Sequence, residues 1–189
     1  MSGFALVFDQ QELLTADASV WTGFLASAAE FKCLDESGQL AARPHCIAAK
    51  FDTSSSLHRG IAWDEATGSW LLAAGTVIDD VAIMPDGNLH QLLADYLEHG
   101  IGVFERLDGQ FALVIYDGRD DSALVVSDPF GFISVFYGQK GNRLFVSTSA
   151  LAVAQAVHSK LSDFGVRHFI LYGSVFGETT LWEDVKRVL

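Results

Sequence analysis

Cysteine, positive charge and long apolar runs are all scarce in this chain of 189 residues. Its two cysteines, Cys33 and Cys46, are too few for the disulfide framework of a small secreted domain. They point instead to reduced thiols and a cytoplasmic protein. Twelve basic residues face twenty-four acidic ones, a net charge of -12. A surface that negative repels phosphate backbones and anionic lipid, which argues against nucleic acid and membrane as partners. The first ten residues have no basic stretch and already carry Asp9, so they do not read as a targeting segment. No run approaches the ~20 apolar residues that a spanning helix needs. Charged residues make up only 19% of the chain, whereas half is hydrophobic and 12% aromatic. Disordered segments have the opposite composition, so the chain reads as one compact domain over residues 1–189.

Periodicity organises that domain. Gly3-Phe4-Ala5-Leu6-Val7-Phe8 reads as a buried strand. Between Asp17 and Phe31 the apolar residues recur at spacings of three and four, which predicts a short helix. Ile61-Ala62-Trp63 and Trp70 to Ala74 flank the turn residues Asp64 to Gly68 and read as a hairpin. Leu89, Leu92, Leu93, Tyr96 and Leu97 share one helical face, and Gly100 stands where a helix C-terminus tolerates positive φ. A short helix over Val103–Leu107 follows. Further hairpins are predicted from Phe111 to Ser127 and from Ser134 to Ser147, and helices over Ala150–His158 and Asp163–Leu171. Hairpins with helices around them define an α+β fold with two largely antiparallel sheets, and the near-continuous apolar runs predict sheets buried on both faces.

The stretch Leu107-Asp108-Gly109-Gln110-Phe111-Ala112, running on to Asp117, resembles a signature of class II glutamine amidotransferases, above all of the asparagine synthetase family. The likeness continues in order. Ser127-Asp128-Pro129-Phe130-Gly131-Phe132 and Val135-Phe136-Tyr137 are similar to the family's R-D-R-F-G and P-L-Y-Y. Arg143 to Thr148 resembles its F-A-S-E strand, and Thr180 to Leu189 the segment that closes the domain. The match is close over residues 70–189 and loose before them. It implies the four-layer αββα sandwich of N-terminal-nucleophile hydrolases. Gly109 reads as a close-packing residue at a helix-to-strand corner, and Asp128 with Gly131 as the shapers of a tight connection.

The resemblance also assigns site positions. In active members the initiator methionine is removed and an N-terminal cysteine attacks the glutamine amide, with its own α-amino group as base. Here Ser2 holds that position, followed by Gly3 as in the family. The family's N-G-E motif, whose asparagine and glycine line the oxyanion hole, falls on Ala74-Gly75-Thr76. The arginine that grips the substrate carboxylate falls near Lys50, which lacks the bidentate fork. The S-D-x-E motif falls on Gly87-Asn88-Leu89-His90, without its carboxylate. Asn88 reads as a helix N-cap ahead of a ligand contact.

What this implies is an amidotransferase frame with an emptied pocket, similar to the N-terminal domains of β-lactam synthetase and lasso-peptide cyclases. No cofactor is expected in this domain. The ATP-binding S-G-G-x-D-S loop does not occur, so ATP and magnesium are expected only in a synthetase domain, joined C-terminally or supplied as a separate subunit. An apolar face is then expected for that partner, and a homodimer is the other association to consider. The two remaining readings are a Ser2-dependent amidohydrolase and a stand-alone interaction module. Asp117, Asp120 and Asp121 lack calcium-loop spacing and read as a solvated turn. Cys33, His45 and Cys46 lack zinc spacing, and no metal site is expected. Gly100-x-Gly102 lacks the third glycine of a dinucleotide loop.

Overall fold

The computed structural model describes residues 2–9, 11, 23–24, 39–52, 60–79, 82–83 and 88–189. The helix expected over Asp17–Phe31 lies outside them except for Gly23 and Phe24, which are helical. The chain forms two compact units. The first comprises residues 1–3, 33–41 and 49–133; the second comprises 4–32, 42–48 and 134–189.

The first unit is built on a sheet of β4 (Ile61–Asp64), β5 (Ser69–Asp79), β7 (Leu107–Asp117) and β8 (Ser122–Ser127), in that order, with β6 (Ala82–Ile83) paired to β5. The hairpin read from sequence at Asp64–Gly68 is present. Asp64 accepts from the Thr67 amide at 2.8 Å and its hydroxyl at 2.6 Å, and Gly68 takes φ +74°. β5 and β7 pair antiparallel over ten positions, from Trp70↔Tyr116 to Asp79↔Leu107. Side chains alternate across these strands. Leu71, Ala73 and Val77 pack with Phe111, Leu113 and Ile115 against Leu89, Leu92, Leu93 and Tyr96 of helix α1 (Asn88–His99). Trp70, Leu72, Ala112 and Val114 on the opposite face are equally buried, as the apolar runs predict. β8 is only half-buried along its whole length, so that expectation fails there.

Gly100 leaves α1 at φ +75°, and a 3-10 turn over Gly100–Arg106 leads straight into β7. Arg106 anchors this corner between Asp95 of α1 and Asp79 of β5. The Gln91 amide and the Arg106 guanidinium hold the Asp95 carboxyl below its usual range. Because the ladder begins at Leu107, Gly109 lies inside the strand and not at a corner.

The second unit carries most of a six-stranded sheet of order β11-β9-β10-β1-β3-β2. Its strands are β1 (Gly3–Asp9), β2 (Gln39–Arg43), β3 (Cys46–Phe51), β9 (Phe136–Lys140), β10 (Arg143–Ser147) and β11 (Lys186–Arg187). β10 pairs antiparallel with both β1 and β9, and Asp9 meets Arg143 at 3.2 Å. Helices α2 (Ala150–Val157) and α3 (Asp163–Tyr172) begin at Ser149 and Ser162, each accepting an amide of the first turn at 3.2 Å. Cys46 is a buried free cysteine whose thiol is pushed far up by burial. No helix among the described residues is long and apolar enough to cross a membrane.

Candidate active site

Ser2 stands half-buried directly before β1, and its hydroxyl oxygen accepts a hydrogen bond from the Gly75 amide at 2.8 Å. Gly75 achieves this from within β5 by taking φ +91°. A Cβ on it would lie 2.0 Å from the carbonyl oxygen of Gln110, so a side chain is excluded by contact as well as by conformation. Gly109 repeats the device on the facing strand: φ is +114°, and a Cβ would lie 2.3 Å from the Thr76 carbonyl oxygen. The two glycines flank the single pair Thr76↔Gln110.

An oxyanion hole needs donors at roughly 2.7–3.1 Å from the oxygen that becomes charged. Gly75 supplies a main-chain donor of that kind, aimed here at Ser2 Oγ. Ala74, opposite Ala112 and fully buried, has no side-chain donor to offer beside it.

Lys50 is buried on β3, donates to the Gly60 carbonyl at 3.0 Å and lies 3.4 Å from an oxygen of Asp52. The same Asp52 oxygen accepts the Gly60 amide at 3.1 Å. The cation expected near the substrate carboxylate thus already has a counter-charge. Asn88 is the first residue of α1, and its side chain lies outside the described residues. Leu89 is buried in the core and His90 points to solvent, so neither restores the acidic function of the motif.

Asp128 is buried and shapes the turn after β8. One carboxylate oxygen accepts the amides of Phe130 (3.0 Å) and Phe132 (3.2 Å), and the other that of Ile133 (3.4 Å). The Gly131 amide, at φ +62°, bonds the Asp128 carbonyl at 2.9 Å. Ile133 then reaches the front of Gly75, where its Cγ1 lies 3.1 Å from the position a Cβ would take. The loop turns Phe130 and Phe132 outward, with ring centroids 5.7 Å apart. Asp108 is exposed and caps its neighbour, accepting the Gly109 amide at 2.6 Å.

Ser2 and Gly75, the positions that the resemblance assigns to nucleophile and oxyanion hole, meet through a hydrogen bond, and Asp128 forms the loop after β8. Sequence reasoning does not single out Asp52 or Ile133. Asp52 could have been found as a carboxylate two residues from a lysine on an apolar strand, whereas nothing in the sequence marks Ile133. Asp117, read as part of a solvated turn, is instead buried. Arg119 donates to it from Nε at 2.9 Å and holds its carboxyl below the usual range. Among the described residues no three metal-ligating side chains converge on a common point.

Residues 81–189, more than half of the chain, match the model of the glutamine amidotransferase domain, and the chain belongs to that family. Among solved structures it is similar to the glutamine phosphoribosylpyrophosphate amidotransferase of B. subtilis complexed with ADP and GMP. That likeness has a TM-score of 0.57 at 12% identity, over 82% of this chain and 43% of the other. The allosteric regulatory enzyme of purine biosynthesis is similar at TM-score 0.54 and 11% identity, with the same coverage. The chain thus spans less than half the length of either neighbour, and at such identity the likeness speaks for the fold. No curated protein matches in sequence. Family and fold agree on a glutamine amidotransferase domain, α+β with two antiparallel sheets.

Proposed function

We propose that this is the amidotransferase-like domain of an asparagine synthetase-type protein, an ATP-dependent amide-forming system, and that its own glutaminase activity is lost. The observation that carries this reading is the bond between Gly75 and Ser2 with Ala74 alongside. Of the donors that would stabilise a tetrahedral oxyanion, the main-chain one survives and is satisfied by the residue in the nucleophile's place. The side-chain one is absent, a loss of about 10²–10³ in rate by itself. Lys50, neutralised by Asp52, and the exposed His90 support the same conclusion for substrate binding. Phe130 and Phe132, held outward on the loop that ends at Ile133, offer a synthetase domain an apolar foothold beside the site. ATP and magnesium belong to that domain, and the reduced, buried Cys46 suits a cytoplasmic setting.

Intact mass and ammonia release from glutamine test this together. The expected result is no ammonia above background, and a retained Met1 would by itself exclude Ser2 as a nucleophile. A mature chain beginning at Ser2, with glutamine hydrolysis abolished in Ser2→Ala, overturns it. That outcome would favour a Ser2-dependent amidohydrolase, for which the same Gly75 amide would stabilise negative charge. A stand-alone interaction module is the remaining reading, and a stable complex with a separate synthetase subunit distinguishes it from a fused domain.

A further inference from the structure

The acid beside Lys50 is only half used. Asp52 Oδ2 accepts the Gly60 amide at 3.1 Å and faces Lys50 Nζ at 3.4 Å. Its other oxygen, Oδ1, is buried and has no hydrogen-bond partner among the described residues. A buried carboxylate oxygen of this kind has given up hydration that no bond replaces, and it points to a missing donor. Strand pairing shows what stands next to it. The Asp9 amide bonds the His45 carbonyl at 2.9 Å, where β1 ends and just before β3 begins. These strands are neighbours in the sheet, and from those residues they overlap only if they run antiparallel. Counting back along β1 and forward along β3 sets Ser2 opposite Asp52, and directly opposed side chains share a face. Lys50, two residues earlier on β3, shares it too.

Ser2 supplies a second acceptor. A hydroxyl oxygen has two lone pairs, and the Gly75 amide occupies one of them at 2.8 Å. Two acceptor oxygens, one of them a carboxylate's, thus stand together beside the position where the resemblance expects a cation for the substrate carboxylate. Lys50 does not keep a donor away. Its ammonium faces Oδ2 and donates to the Gly60 carbonyl at 3.0 Å. A cation bonded to Oδ1 at about 3 Å stands roughly twice as far from Lys50, across the carboxylate, so attraction outweighs repulsion about twofold. The net charge of -12 adds to that attraction. We propose that this pocket takes the head of a small primary ammonium compound and refuses the carboxylate end of an amino acid, a proposal that rests on the pocket being lost to glutamine. The N–H donors of such a head reach Asp52 Oδ1 and the second lone pair of Ser2 Oγ.

Methylammonium chloride titrated into the isotope-labelled chain at constant ionic strength tests it by NMR. The reporters are the Gly60 and Gly75 amides, which bond Asp52 and Ser2. Both resonances are expected to shift together and to saturate in the millimolar range, the ceiling for a ligand of two heavy atoms. Tetramethylammonium, which has no N–H, and sodium acetate should leave both in place. Asp52→Asn is expected to weaken methylammonium binding by about tenfold or more. Should that variant fail to fold, Ser2→Ala, at a half-buried position, carries the test with a loss of about threefold or more. A methylammonium titration that does not saturate overturns the proposal, as does an equal response to sodium or saturation by acetate. Unchanged affinity in Ser2→Ala overturns it equally. Ammonia released from glutamine by the wild-type chain would instead remove the functional reading above, so the two failures are read separately.

Discussion

Gly75 on β5 and Gly109 on β7 face each other across one residue pair, each with positive φ and each pressed against the carbonyl oxygen of the opposite strand. Two strands approaching this closely leave no room for a methyl group on either, and the closeness presents the Gly75 amide to Ser2.

Gly75→Ala should therefore be disproportionately damaging. Backbone strain at this φ and the forced separation from Gln110 together cost about 3 kcal/mol or more. Denaturant unfolding is expected to show a large fall in midpoint. Gly102→Ala, at a position with no heavy atom near the added carbon, should change it by less than ~1 kcal/mol.

Lys50→Met removes the cation from a buried pair and strands the Asp52 carboxylate. A loss of roughly 3–5 kcal/mol is expected, in the range for breaking a buried ion pair. The double variant with Asp52→Asn should recover part of it. A double-mutant cycle by urea unfolding measures the coupling, and additive losses would show that the pair is not a unit.

Asp128→Asn replaces an acceptor with a donor on one side of a carboxylate that receives three amides. A penalty of about 1–3 kcal/mol is expected, together with faster hydrogen exchange at the amides of Phe130, Phe132 and Ile133. Exchange should also quicken at Gly75, which Ile133 covers.

The acid limb of stability has a defined sign. Asp95 and Asp117 titrate below their ordinary range in the folded chain, chiefly through the Gln91 and Arg119 side chains respectively. Such groups stabilise the fold at pH values above their unfolded pKa, ~3.9, and lose that contribution as pH falls toward the folded value. Arg119→Met should flatten the decline in melting temperature below about pH 4 and leave less stability at pH 7. An unchanged acid limb would show that Asp117 does not contribute to it.

The extent to which the fold was legible follows from what each signal depends on. The hairpins at Asp64–Gly68 and Asp117–Ser122 depend on local turn chemistry and alternation, and both were read correctly. Helix α3 was read from its spacing, yet its exposure was not, because the apolar residues surround the helix and the sequence does not reveal which side Gly165 seats. Gly109 was placed at a corner because nothing local marks where a ladder begins once a 3-10 turn feeds it directly. The link between Ser2 and Gly75 spans 73 residues and came from the order of family motifs, not from any local pattern. That position 50 is a lysine is plain in the sequence, but its pairing with Asp52 and with the Gly60 carbonyl is a tertiary fact.

The donor at position 75 belongs to the main chain, and this bears on how such a domain changes over evolutionary time. The half-buried side chain at position 2 can drift one mutation at a time. The amide cannot drift, because any replacement for glycine disrupts two strands before it alters any chemistry. A lineage can thus discard the reaction while folding stability continues to guard one of its instruments. The way back then requires new side chains on an unchanged backbone.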